Sequence, residues 1–206
     1  METRRKGKPV VVSMSGSAAS GGYWIAADAD KIVAQPGTLT GSIGAFGGKF
    51  FMGALWDKLG VNWDAVSEGE NARMWSSNQK FTPAQMQRFE SLMAETYEAF
   101  LDRVAAGRNI PRDEVKKIAE GRVYTGRQAL EVGLVDDLGG IDVALKHARA
   151  LAEIGDDEDV PLVRFPPRKS TLEMFITLAT EGALFYPQFT ISAGDIAAAL
   201  DESLPP

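Results

Sequence analysis

The chain has 206 residues, 45% hydrophobic and 24% charged, which supplies one packed core and excludes a disordered protein. Its net charge of -6, with one short basic cluster at Arg4–Lys8, argues against a nucleic-acid-binding surface. No cysteine is present, which removes disulfides, thiolate nucleophiles and the sulfur ligands of structural zinc, and no cofactor or metal motif is found.

Pro9–Met14 (PVVVSM) is a continuous β-branched run and reads as a short buried strand of a parallel sheet. Gly16 and then Ser20-Gly21-Gly22 turn the chain into the apolar run Tyr23–Ala29, giving a strand, a tight turn and a helix start. Lys31–Ala34 is the next strand, and Gly37–Gly48 is punctuated by glycines where backbone or ligand approaches closely. A helix is predicted over Phe50–Leu59 and a strand over Val61–Val66. Thr82-Pro83-Ala84-Gln85 is a capping box with proline in the first helical position. Phe89, Leu92, Met93, Thr96, Phe100 and Val104 then mark one face of a helix reaching Ala106.

Shorter helices follow at Arg112–Ala119, Gly126–Val132 and Ile141–Ile154, with a strand at Val160–Phe165. Pro166-Pro167 separates a last helix, Thr171–Thr180, and a tail ending at Pro206. The alternation is that of an α/β protein, with residues 1–165 as the domain and 166–206 as a C-terminal helix and tail. A parallel sheet needs more strands than PVVVSM can open, so further strands are expected upstream of Met1. No run of 18 apolar residues occurs, and Met1–Lys8 lacks the apolar core of a signal peptide.

The chemistry centres on Ser20, in AASGGYW. A serine directly after a buried strand and at a helix start exposes its hydroxyl, and Gly21 and Gly22 leave their N–H groups unshielded for an oxyanion. The competing reading is an ordinary N-cap serine. The single histidine, His147, lies mid-helix with nothing tying it to Ser20, and AASGG is not the G-x-S-x-G elbow, so a serine/histidine/aspartate triad is not expected. Ser77-Asn78-Gln79-Lys80 fits S-x-x-K, but it precedes the helix cap and has no companion motifs. Gly41, Gly44, Gly47 and Gly48 form neither dinucleotide fingerprint nor P-loop, and Asp136-Asp137 reads as a solvated loop pair without a histidine partner.

The stretch from Lys8 to Gly44, KPVVVSMSGSAASGGYWIAADADKIVAQPGTLTGSIG, resembles the central segment of the signal peptide peptidase A (protease IV) family. GRVYTGRQALEVGLVDDLGG, Gly121–Gly140, resembles the block before that family's terminal helix, so the likeness covers Lys8–Ala152. The resemblance implies a ClpP/crotonase-like α/β fold and a serine nucleophile served by a lysine base. It makes Ser20 the nucleophile, assigns Gly21 to the oxyanion hole, and makes Ser42 the second serine, which hydrogen-bonds the lysine amine. Without the family, Ser42 reads as a turn serine.

One position departs. Alignment with single-domain members puts Ala72 where their lysine falls; Arg73 does not give up its proton, and Lys80 lies too far along. The resemblance is therefore to the C-terminal half of a tandem-domain member, whose lysine comes from an upstream domain or neighbouring subunit. It further implies homo-oligomers, apolar peptide substrates such as signal peptides, and association with the bacterial inner membrane through an anchor upstream of Met1. Phe46, Phe50, Phe51, Met52 and Trp56 line a groove or an oligomer contact, or else pack in the core. The alternative is a protease-like scaffold without catalysis.

Overall fold

The computed structural model describes residues 2–155 and 157–165. The chain divides into two compact units, Met1–Glu158 and Asp159–Pro206. The first contains, in chain order, α1 (Glu2–Arg5), β1 (Val11–Met14), β2 (Ser17–Ala19), α2 (Gly21–Ala26), β3 (Lys31–Ala34) and β4 (Leu39–Gly41). It continues with α3 (Gly53–Leu59), α4 (Pro83–Arg108), α5 (Arg112–Ile118), β5 (Val123–Thr125), α6 (Gly126–Glu131), β6 (Asp137–Leu138) and α7 (Ile141–Leu151).

The β-branched runs VVSM and KIVA pair in parallel, with Val11 opposite Lys31 and Met14 opposite Ala34, and β3 pairs in parallel with β6. This first sheet, ordered β1-β3-β6, carries α7 against β1 and β3. A second sheet, ordered β2-β4-β5, pairs β2 with β4 in parallel and β4 with β5 antiparallel. The α/β character read from the sequence is thus present as two small sheets with helices around them.

The core joins these layers. Met14, Tyr23, Ile32 and Ile43 pack with Phe100, Leu101 and Val104 of α4 and with Val115, Leu134 and Val135. Each large apolar side chain buried there contributes about 1.5–3 kcal/mol. Tyr23 is fully buried, and its hydroxyl donates to the Leu134 carbonyl at 2.7 Å, so burial drives its pKa well above the usual phenol range.

The capping box at Thr82 forms as read: the Thr82 hydroxyl accepts from the Gln85 N–H and the Gln85 side chain accepts from the Thr82 N–H, each at 3.2 Å. The helix runs on to Arg108, where Asn109 closes it in the left-handed region with φ 53°. Its face differs from the predicted one at Thr96, which is exposed and donates its hydroxyl to the Leu92 carbonyl, while Leu101, absent from the predicted set, is fully buried. A second capping box, Thr125 with Gln128, opens α6.

Two predicted strands do not form. Residues 61–66 are exposed and irregular, because the alternating pattern finds no neighbouring strand to complete a ladder, and residues 160–165 are likewise irregular. The helix predicted from Phe50 starts at Gly53, and the one predicted to Ile154 stops at Leu151. The predicted helix at 171–180 lies outside the described residues. Among the described residues no helix is long and apolar enough to cross a membrane.

Asp136 and Asp137 also differ from the expected solvated pair. Asp136 accepts from the Ile32 N–H at 2.7 Å and pairs with Arg108 at 2.8 Å, fastening the end of α4 to β3. Asp137 meets His147 at 3.1 Å, and that partner with the Leu138 N–H holds its carboxyl below the ordinary carboxylate range.

Two glycines mark contacts that admit no side chain. A Cβ on Gly107 would lie 2.2 Å from the Ala27 carbonyl oxygen, and one on Gly126 would lie 2.1 Å from that of Gln35. Gly107→Ala and Gly126→Ala are each expected to cost about 2–3 kcal/mol, a drop of about 4–12 °C in the thermal midpoint. Gly37→Ala, where a Cβ meets nothing within 4 Å, is the control and should stay within about 0.5 kcal/mol. Tyr23→Phe, which strands the Leu134 carbonyl, should cost about 1–3 kcal/mol in urea unfolding.

Candidate active site

Ser20 sits at the junction of β2 and α2 with φ 51° and ψ -117°, a backbone conformation that side chains with a Cβ rarely adopt and that costs about 1–3 kcal/mol. The surrounding bonds hold it there. Its N–H donates to the Gly41 carbonyl at 2.9 Å, and its own carbonyl accepts from the Trp24 N–H at 2.8 Å. Although Ser20 occupies the N-cap position of α2, its side chain makes no capping hydrogen bond. The ordinary reading of this serine, as a helix cap, therefore fails, and the hydroxyl is left for other use.

Gly21 and Gly22 form the first turn of α2, where backbone N–H groups have no intrahelical acceptor. A Cβ on Gly21 would meet nothing within 4 Å, and one on Gly22 would make only ordinary contact with Ala18. Packing does not demand glycine at either place. What the two glycines provide is an open approach to the N–H groups beside Ser20.

Ser42 reaches the same end of the second sheet by register. Ser17, Ala18 and Ala19 of β2 face Leu39, Thr40 and Gly41 of β4, so each strand leads directly into a serine. Ser42 also has positive φ, 50°, and its N–H donates to the Arg122 carbonyl at 2.7 Å. Gly41 before it has φ 74°, and a Cβ there would lie 2.8 Å from the Tyr124 ring and 3.2 Å from the Arg122 oxygen. Here glycine is required. Buried Thr40 anchors the bend by donating to the Ala18 carbonyl at 2.8 Å.

The structure thus brings Ser20, Gly21 and Ser42 together, with neither serine hydroxyl engaged in a hydrogen bond among the described residues. Among the described residues no basic side chain hydrogen-bonds either serine. Ala72 lies exposed in the turns of residues 70–75, and Lys80 is exposed, its amine 5.5 Å from the centroid of the Phe51 ring. His147 is committed to Asp137. Among the described residues no cluster of metal-ligating side chains occurs.

The strands of the second sheet, β2 among them, and the setting of Lys49 are not visible in the sequence. Strands β4 and β5, which place Ser42, are three residues each and too short to show a period. Lys49, half-buried beyond Ser42, also passed unnoticed, since its partners are backbone carbonyls that leave no mark in a sequence.

Residues 2–155 match the family described as Peptidase family S49. The serine protease SPPA of Arabidopsis thaliana chloroplasts is 37% identical over 166 residues, covering 80% of this chain and 24% of that protein. Protease 4 of Salmonella typhi is 43% identical over 151 residues, covering 73% of this chain and 24% of its own length. The protein of Enterococcus faecium named "Putative signal peptide peptidase SppA" is 36% identical over 148 residues, covering 72% of this chain and 43% of that one. The chain therefore spans 24–43% of the length of these three relatives. The family match runs from α1 past the end of α7, through the Ser20 turn and the Gly121–Gly140 block alike, and this chain belongs to peptidase family S49, with its ClpP/crotonase-like α/β fold.

Proposed function

We propose that Ser20 is the nucleophile of a serine peptidase that cleaves extended apolar peptide segments, signal peptides among them, with a lysine base supplied from outside the described residues. The observation that carries this reading is the strained backbone of Ser20 combined with a hydroxyl that does not cap its helix. Strain of this kind persists where the surrounding structure over-determines it, and at a strand-to-helix turn it lifts a nucleophile clear of the sheet.

In this reading the Ser20 Oγ attacks the scissile carbonyl carbon while a neutral lysine amine takes its proton. The carbonyl oxygen becomes an oxyanion facing the Gly21 N–H, a donor of the kind whose loss costs about 3 kcal/mol in the transition state. Collapse breaks the C–N bond, the leaving amine takes the proton back from the ammonium, and an ester remains on Ser20. Water then attacks that ester and gives its proton to the amine; the second collapse frees the carboxyl product and returns the proton to Ser20. Ser42 hydrogen-bonds the lysine amine and keeps it aimed.

Apolar specificity is supported by the side chains around the second sheet and the segment after Ser42: Leu39, Phe46, Phe50 and Val123 are all exposed, Phe46 at 97% and Phe50 at 87%. Core packing is not their role. The same exposed segment supports assembly into homo-oligomers, through which a neighbouring subunit or an upstream domain delivers the lysine. Membrane association belongs to this proposal as well, on the family resemblance alone.

A second reading is favoured by one observation, the absence of an amine at Ala72, and makes the domain a peptide-binding scaffold. Labelling by a serine-directed fluorophosphonate separates the two. The nucleophile reading expects slow labelling that Ser20→Ala abolishes and that Ser42→Ala changes little while no lysine base is present for Ser42 to aim. Equal labelling of the chain and of Ser20→Ala would sink the nucleophile. Peptide-ester hydrolysis by this chain alone should stay at background, and appreciable Ser20-dependent turnover would show that the base is already present.

A further inference from the structure

Lys49 lies on the irregular segment between Ser42 and α3, and its surroundings are built in detail. Its ammonium donates to the carbonyl oxygens of Met74 at 2.8 Å and Ser76 at 3.0 Å. It also lies 4.3 Å from the centroid of the Phe81 ring. That ring stacks on Phe89 at 5.4 Å, and Trp75 sets its edge against both. Burial lowers the Lys49 pKa from the ordinary lysine value, and among the described residues no carboxylate pairs with it. The charge is held by two charge-assisted hydrogen bonds and a ring face instead.

The two carbonyls belong to the strap Glu70–Asn78, which has turns but neither helix nor strand. Such a backbone depends on hooks from elsewhere for its position. Gln85 donates to the Glu70 carbonyl at 3.2 Å, Gln79 to that of Arg73 at 3.3 Å, and the Trp56 indole to the Asn78 side chain at 3.1 Å. The Met52 N–H reaches the Ser77 carbonyl at 2.7 Å. Lys49 differs from the other side-chain hooks in its root: it stands on the run that begins at Ser42.

The near end of that run is already fixed. The Ser42 N–H bonds Arg122, the Gly121 N–H bonds the Ile43 carbonyl at 2.9 Å, and a Cβ on Gly44 would lie 3.1 Å from the Gly121 backbone. Gly47 packs against Phe89 and Met93 of α4. With Lys49 bound to the strap, both ends of the run are secured.

We propose that Lys49 is a positioning residue that latches the Glu70–Asn78 strap to the run that begins at Ser42, fixing the far end of that run and through it the backbone at Ser42. The proposal rests on the reading of Ser20 and Ser42 as that site. Lys49 hydrogen-bonds neither serine, and it acts through the backbone it holds, not as the missing base.

The test compares the intact chain with Lys49→Met, which keeps the packing on Phe81 and loses the donors, and Lys49→Arg, which keeps charge and donors. Amide hydrogen exchange in Lys49→Met should quicken at least about tenfold at Met74 and Ser76, whose N–H groups bond within the strap, while the core amides stay unchanged. Its thermal midpoint should stay within about 3 °C, and Lys49→Arg should recover most of the protection. Ser20-dependent fluorophosphonate labelling should slow about fivefold in its maximal rate in Lys49→Met, and recover in Lys49→Arg.

Unchanged exchange over residues 70–78 would overturn the latch, as would exchange that rises evenly through the core. Loosened exchange with unchanged labelling would overturn its role at the site. If the wild-type chain shows no Ser20-dependent labelling, the peptidase reading fails by itself, and exchange still decides the latch.

Discussion

The hydrogen bond from the Ser20 N–H to the Gly41 carbonyl, 2.9 Å long, continues the β2–β4 pairing past its last pair and ties two bent backbones together. On one side lies Ser20 at φ 51°, on the other Gly41 and Ser42 at φ 74° and 50°. Glycine adopts such a φ freely, but for each of the two serines it costs about 1–3 kcal/mol. They persist because the ladder bond, the Trp24 N–H on the Ser20 carbonyl and the Arg122 carbonyl on the Ser42 N–H leave the backbone no alternative. Everything the site offers, two serine hydroxyls with no hydrogen bond among the described residues and an open pair of glycine N–H groups, follows from that joint.

The joint is held from below by ordinary packing. Helix α2 starts at the nucleophile candidate, and one turn in it places Tyr23 at the centre of the core with its hydroxyl on Leu134. Thr40 does the same for β4 by bonding the Ala18 carbonyl across the sheet. Strain at the surface is thus balanced by satisfied polar groups and filled volume beneath it, the usual distribution for a site that must be stiff.

What could be read from the sequence was what local chemistry decides. PVVVSM followed by glycines and an apolar run announces a strand, a turn and a helix without help from elsewhere, and Thr82 with Gln85 announces a helix start. The turn at Ser20 was legible for that reason, but the three-residue strand β2 that leads into it was not, and the role proposed for Ser42 comes only from the family resemblance. The three-residue strands LTG and VYT were illegible, because their existence depends on partners far along the chain. Val61–Val66 failed in the opposite direction: the pattern is right for a strand, but among the described residues no strand pairs with it. Asp136 looked like a loop charge, since the Ile32 N–H and Arg108 that it serves are brought to it by folding.

The contacts that hold the serines upright come late in the chain. Ser20 and Ser42 lie in the first quarter, yet Arg122, Tyr124 and Leu134, which fix Ser42, Gly41 and Tyr23, are far downstream. Closing such distant loops is the slow part of folding a chain of this kind. While the chain emerges from a ribosome, the Ser20 turn therefore has no reason to hold its strained shape until the chain has been made past Leu134.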